Sequence, residues 1–346
     1  MDREARLAAE AEMIVNDFVR LKPGETVAVF GDDSHRAEAA AVLAAVRALG
    51  NEVVGVDVAQ QVAALRASEE FWIDPPAHLR ALIQATNVNI FVVDETYGFR
   101  LDHKVSRLFR TGPDCSIFKV DEGLGTWNLS GSDIAYVNEL GGHIQSALNG
   151  AHEVHITAPG GTDLRLSLAG RTCLPIMPVP ERGEAYGLSV PLWGEYNWAP
   201  IENSATGTIV FDGLTEARAE MGTVAAPVTV TVSGGRVTAV HGESDADDFR
   251  RLFALDEGSN VVGELGVGGN PRAQFGRETE KALLGTIHIG FGDNHVYPGG
   301  LNRSEVHFDA TIRGVTIVAD GVTVIRDGAP VEFDEQVRGE QHGGAS

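Results

Sequence analysis

The chain has 346 residues, enough for two domains with separate cores. Its 27 basic and 49 acidic residues give a formal net charge of −22, which argues against nucleic acid or an anionic membrane as partner and reads most simply as solubility. Two cysteines far apart, Cys115 and Cys173, exclude a disulfide framework and a thiolate zinc site.

The opening MDREARLAAEAEMIVNDFV is acidic from the start and lacks the basic and long apolar regions of a signal peptide. No run of about 18 apolar residues occurs, so no membrane span is expected and the expected location is cytoplasmic. Residues 3–20 have the apolar spacing of an amphipathic helix. ETVAVF (25–30) reads as a buried strand, followed by a turn and a helix with Asp33 or Ser34 as N-cap and Gly50 as stop. EVVGVDV (52–58), VNIFVVD (88–94) and CSIFKV (115–120) are further apolar strands with helical stretches between them. That alternation predicts an N-terminal doubly wound α/β domain with a parallel sheet over 1–145, closed by a helix at 132–149.

The pattern then changes. EVHITAP, DLRLSLAGR, GTIVFDG, VTVTVSGGRVTAV, GTIHIGFG, EVHFDATIRGVTIVADG and VTVIRDG are short strands with Gly and Asp turns. DADDFRRLFAL is a helix among them. Residues 146–346 therefore read as a β-rich α+β domain, with the last ten residues as a frayed tail.

Chemistry concentrates in this second half. The first half lacks G-x-G-x-x-G and Walker patterns, and G-x-S-x-G is missing throughout. In SEVHFDATI (304–312), Val306 and Phe308 alternate with His307 and Asp309. In an extended chain His307 and Asp309 share one face, and a polar pair on a buried strand needs water, a hydrogen-bond network or a metal as partner. His288 in GTIHIGFGDN, His295 in the next turn, Glu264 in VVGELGVGG and Glu195 in GEYNW extend the set. Histidines and carboxylates on several strands are the makings of a zinc, manganese or iron site, with one carboxylate able to bridge two metals. The glycines of GELGVGGNP read as tight turns. Trp193 and Trp198 flank Glu195 and either line a pocket or pack in a core. Arg272 either binds a substrate carboxylate or makes a salt bridge, and Glu184 in the loop 178–187 is a weaker rival to Glu195.

VHITAPGGTDLRLSLAGR, GEYNWAPIENSATGTIVFDG, GELGVG, GTIHIGFG and VHFD together resemble the aminopeptidase T/aminopeptidase S family of metallopeptidases across most of the second domain. The resemblance implies metal ligands at Glu195, Glu264, His288, His307 and Asp309. It implies two divalent ions (Zn, Mn or Co), a small-molecule or short peptide substrate, and a homo-oligomer. Near the family's catalytic tyrosine the chain has DNHVYPGGLNR, which offers His295 or Tyr297. Glu280 in ETEKALLG is nearest to the family's acidic residue before the histidine strand.

GELGVGGNPRAQF and GFGDN are also similar to the 2,5-dihydroxypyridine dioxygenases, mononuclear non-haem iron enzymes whose length this chain shares. That resemblance implies Fe(II) and ring cleavage with dioxygen. Those enzymes carry His where this chain has Glu264, a liganding Ser where it has Gly290, and no counterpart of His288; His307 and Asp309 are common to both ligand sets. The ligand types favour a metal-dependent hydrolase of aminopeptidase type, with the dioxygenase as the alternative and a fold kept for binding alone as a third reading.

Overall fold

The computed structural model describes residues 2–68, 75–96, 115–178, 187–218 and 220–331. Glu184 and the last ten residues lie outside them. Helix α1 (Arg3–Met13) starts under an Asp2 cap, whose carboxylate accepts from the Ala5 amide, and runs on as a π-helical turn through Ile14–Phe18. Strands β1 (Val27–Gly31), β2 (Val53–Asp57), β3 (Val88–Val92) and β4 (Ser116–Val120) pair in parallel in the order β2-β1-β3-β4. Helices α2 (Arg36–Ala48), α3 (Ala59–Arg66) and α4 (Ala77–Ala85) connect them.

Alternation along the strands explains the double winding. Val27, Val29, Ile90 and Phe118 pack with α1 and α2, while Ala28, Phe30, Phe91 and Ile117 pack with α3 and α4. Both faces are buried along β1, β3 and β4, as a parallel sheet requires, while the edge strand β2 is partly exposed. Helix α2 begins at Arg36 and draws no side-chain cap from Asp33 or Ser34. Buried Asp32 orders that turn instead, its Oδ1 accepting from the amides of Ser34 and His35.

Helix α5 (Gly131–Leu148) follows, close to the predicted 132–149, then β5 (Val154–Thr157), β6 (Asp163–Leu166) and β7 (Leu174–Ile176). The chain then returns to the first sheet as β8 (Gly187–Val190), parallel beside β4. One compact unit therefore comprises 1–134 with 177–193, and the other comprises 135–176 with 194–346. A single crossing at 145 differs from this division, because one strand of the parallel sheet comes from the β-rich stretch.

The second unit continues with β9 (Glu195–Trp198), β10 (Thr206–Phe211), β11 (Leu214–Thr215), β12 (Gly222–Thr223), β13 (Val228–Ser233), β14 (Arg236–His241) and α6 (Ser244–Phe253). Strand β15 (Val262–Gly268), a 3-10 turn at Glu278–Ala282, β16 (Thr286–Gly292), β17 (His307–Arg313), β18 (Thr316–Ala319), β19 (Val322–Arg326) and β20 (Ala329–Pro330) complete it. They form an eight-stranded sheet, β14-β13-β10-β6-β5-β18-β19-β20, and a seven-stranded sheet, β12-β11-β17-β16-β15-β9-β7. One face of β16 and β17 presents Phe291 and Phe308, which meet Phe249 and Phe253 of α6 and Phe211 of β10. Tyr196 and Trp198 are fully buried; the Tyr196 hydroxyl donates to the Val137 carbonyl and the Trp198 indole to Asn149 Oδ1. Trp198 is thus a packing residue, and Trp193 is buried in the first unit under Lys119. No helix among the described residues is long and apolar enough to cross a membrane.

Phe249 stacks 5.5 Å from Phe211 and meets Phe308 edge-on at 5.8 Å. Phe249→Ala is expected to cost about 3–5 kcal/mol of stability, read as a lower urea midpoint with an unchanged slope.

Candidate metal centre

The three central strands of the seven-stranded sheet place their polar residues on one face. Antiparallel pairing sets cross-strand partners side by side on the same face. Here each large polar residue has a glycine as partner on one neighbouring strand: Glu195 pairs with Gly268, Glu264 with Gly290, His288 with Gly266, His307 with Gly292 and Asp309 with Gly290. On their other sides His288 pairs with Thr311 and Glu195 with Ile176. Gly266 and Gly268 therefore lie within β15 rather than in the tight turns read from GELGVGGNP. A Cβ on Gly266 would sit 2.0 Å from the His288 ring. The glycines are the space that the ionisable side chains fill.

Two groups of donors result, Glu195–Glu264–His288 and Glu264–His307–Asp309, with the donor atoms of each within 4.8 Å of one another. Glu264 belongs to both. Its Oε1 lies 3.1 Å from His288 Nε2 and its Oε2 lies 3.0 Å from His307 Nε2. All five residues are buried. Three of their atoms make no hydrogen bond: Glu195 Oε2 and His288 Nδ1, which lie 3.9 Å apart, and Asp309 Oδ1, which lies 3.3 Å from His307 Nε2. Leaving a buried polar atom unsatisfied costs about 1–3 kcal/mol, so three in one cluster fit a site built to coordinate something. Carboxylate oxygens with imidazole nitrogens suit zinc, manganese, cobalt or iron. Cys115 and Cys173 are free thiols, pushed up by burial to about 11 and about 12, so neither is a ready thiolate ligand.

The surrounding residues determine which atoms stay available. Asn197 Nδ2 donates to Glu195 Oε1 at 2.9 Å. Lys281 Nζ donates to Asp309 Oδ2 at 3.0 Å and to Glu216 Oε1 at 2.7 Å. Tyr297 Oη donates to Glu264 Oε2 at 2.5 Å and lies 3.4 Å from His307 Nε2. Of the three candidate proton carriers, Tyr297 alone joins the donor groups in this way. His295 lies in the same loop, its Nδ1 3.4 Å from Asp293 Oδ2. Glu280 is a correction: both its oxygens are spent on the Leu214 and Gly276 amides, the Thr311 hydroxyl and the Arg313 guanidinium, so it is a structural anchor. Arg272 is exposed. Lys281, Glu216 and Asn197 were missed by the sequence reading. The only local signal was the i, i+2 spacing of Asn197 from Glu195.

Electrostatics follow from burial among many charges. Burial lowers His288, but Asp309, Glu195 and Glu264 outweigh it and hold it up to about 9. Burial likewise opposes His307, yet Asp309 and Glu264 hold it well above the ordinary histidine value. Burial raises Asp309, and Lys281, His288 and His307 outweigh that to hold it well below the ordinary range. Burial and the Asp309 charge push Glu264 up, while its two histidines bring it below a normal glutamate. Burial, joined by the Glu264 charge, raises Glu195 against His288, Lys281 and the Asn197 hydrogen bond. Against burial, Glu216 and Asp309 keep Lys281 an ammonium.

A doubly wound α/β unit joined to a β-rich unit with a buried carboxylate–histidine centre defines an enzyme fold of the kind shared by aminopeptidase T and the dihydroxypyridine dioxygenases. The chain belongs to the 2,5-dihydroxypyridine 5,6-dioxygenase (NicX) family, whose model matches residues 13–332. It is similar in fold to the 2,5-dihydroxypyridine dioxygenase of Pseudomonas putida KT2440, with a TM-score of 0.67, 18% identity, and coverage of 96% of this chain and 99% of that one. It is similar to the wild-type AmpT of Thermus thermophilus, with a TM-score of 0.69, 18% identity, and coverage of 95% and 100%. No curated protein matches the sequence. Both solved chains are spanned almost end to end, so length does not choose between them.

Gly266→Ala is expected to cost about 1–3 kcal/mol through overpacking and to displace His288. Urea denaturation reads the first effect, and metal retained after dialysis reads the second.

Proposed function

We propose that the chain is a metal-dependent hydrolase of aminopeptidase type, cleaving a peptide or amide bond in a small-molecule or short peptide substrate. The observation that carries this reading is Glu264, one carboxylate shared by two donor groups, each with unspent atoms on a buried face. Glu195, Glu264 and His288 would hold one divalent ion, and Glu264, His307 and Asp309 a second. Two such ions (zinc, manganese or cobalt) supply Lewis acidity toward a carbonyl and lower the pKa of a water from 15.7 to about 7.

The chain's own groups supply the rest. Tyr297, hydrogen-bonded to Glu264, carries a proton at Oη that it can lend to developing negative charge and recover. His295, on the same loop beside Asp293, is the second proton carrier. Lys281 offsets part of the carboxylate charge without occupying the unspent atoms. The protein is read as a cytoplasmic homo-oligomer that binds neither nucleic acid nor membrane.

Family membership favours a second reading, a mononuclear Fe(II) ring-cleaving dioxygenase using Glu264, His307 and Asp309. The test is elemental analysis of protein purified anaerobically without chelators, followed by activity assays. The hydrolase is expected to carry about two zinc or manganese ions per chain and to release amine from aminoacyl amides without oxygen. About one iron per chain, with oxygen uptake on dihydroxylated rings, overturns it. Glu264→Ala is expected to lose both ions, and Glu195→Ala or Asp309→Ala one.

A further inference from the structure

Lys281 is a buried lysine that no motif singled out and that the proposed hydrolysis does not require as an acid or base. It sits on the 3-10 turn Glu278–Ala282, away in sequence from both of its acidic partners. Its ammonium bridges Glu216 Oε1 and Asp309 Oδ2. Glu216 closes the circuit, because its Oε2 accepts from the Asp309 amide at 2.9 Å and its own amide donates to the Asp309 carbonyl at 2.9 Å. Asp309 is thereby gripped at its amide, its carbonyl and one carboxylate oxygen. The other oxygen, Oδ1, makes no hydrogen bond and lies 3.3 Å from His307 Nε2, turned toward the group it forms with Glu264 and His307.

We propose that Lys281 is a positioning residue that, clamped to Glu216, turns Asp309 into a one-oxygen metal donor by occupying Oδ2 and presenting Oδ1. This rests on the reading of Glu264, His307 and Asp309 as metal ligands. Two considerations separate the role from simple filling of the interior. A buried ion pair is weak evidence of stabilisation, since apolar residues of similar volume often do as well or better. The same division of labour also recurs at Glu195, where Asn197 holds Oε1 and leaves Oε2 unspent. Carboxylates bind cations through one oxygen or two, and outer partners of this kind fix which mode is available.

The test is Co²⁺ binding by the full chain, read by titration and by visible absorption of the bound cobalt. The double variant Lys281→Met/Glu216→Gln removes one positive and one negative charge together, so the summed charge of the pair stays at zero. Circular dichroism checks that it folds. Cobalt affinity is expected to fall by about 10–100-fold, with a changed spectrum, because Asp309 is then free to turn or to offer both oxygens. Lys281→Met alone removes a positive charge, which by electrostatics would tighten cation binding, so weakening there supports the same conclusion. Unchanged or tighter binding with an unchanged spectrum in the folded variants overturns the proposal. Asp309→Ala provides the reference. If it binds cobalt like the unaltered protein, the metal-site reading itself fails. If it loses cobalt while the clamp variants do not, only the positioning role of Lys281 fails.

Discussion

Like charges crowded on a buried sheet face are the constraint on which the second unit depends. Glu195, Glu264 and Asp309 are buried together, with Glu216 directly behind Asp309. Two unit charges 4 Å apart at an effective dielectric of 20 interact by about 4 kcal/mol, so several such pairs cannot persist without cations among them. Among the described residues, Lys281 and two imidazoles, whose affinity for protons the same carboxylates raise, meet that need. The donor set is then completed by what it binds. The strand glycines serve the same constraint, since each of these ionisable side chains has a glycine opposite it on one neighbouring strand.

Much of this was legible in the sequence, for identifiable reasons. Period-two alternation exposed His307 and Asp309 because the apolar residues between them had to face the core. The parallel sheet was legible because its strands are apolar on both faces and its helices fall between them. The clamp was not. ETEKALLG carries no period that sets Lys281 apart, and the resemblance points to its neighbour Glu280. In a 3-10 turn adjacent side chains diverge, so Lys281 reaches Glu216 and Asp309 while Glu280 reaches Arg313 and Thr311. Glu216 follows a two-residue strand, too short to carry a period. Gly266 and Gly268 read as turn residues because glycine punctuates turns more often than it clears space inside a strand. The return of β8 to the first sheet was hidden for a similar reason, since a short strand among short strands does not declare which sheet it joins.

Fold alone leaves the chemistry open, because the solved dioxygenase and aminopeptidase structures are matched over nearly the same extent and at the same identity. The distinction must lie in a few side chains, and Gly290 shows why these change together. It is paired with Glu264 on one side and Asp309 on the other. A Cβ there would lie 2.6 Å from Asp309 Oδ1, 2.8 Å from Glu264 Cβ and 2.9 Å from Glu264 Oε2. The last could swing aside, but Glu264 Cβ is fixed to its strand. A side chain at 290 and this placement of Glu264 therefore exclude one another. A centre that takes a ligand from position 290 must change or move the residue at 264, whereas a centre that shares Glu264 between two donor groups must keep glycine opposite it. This chain has glycine at 290, with Glu264 between two donor groups that carry atoms without hydrogen bonds on both sides of it.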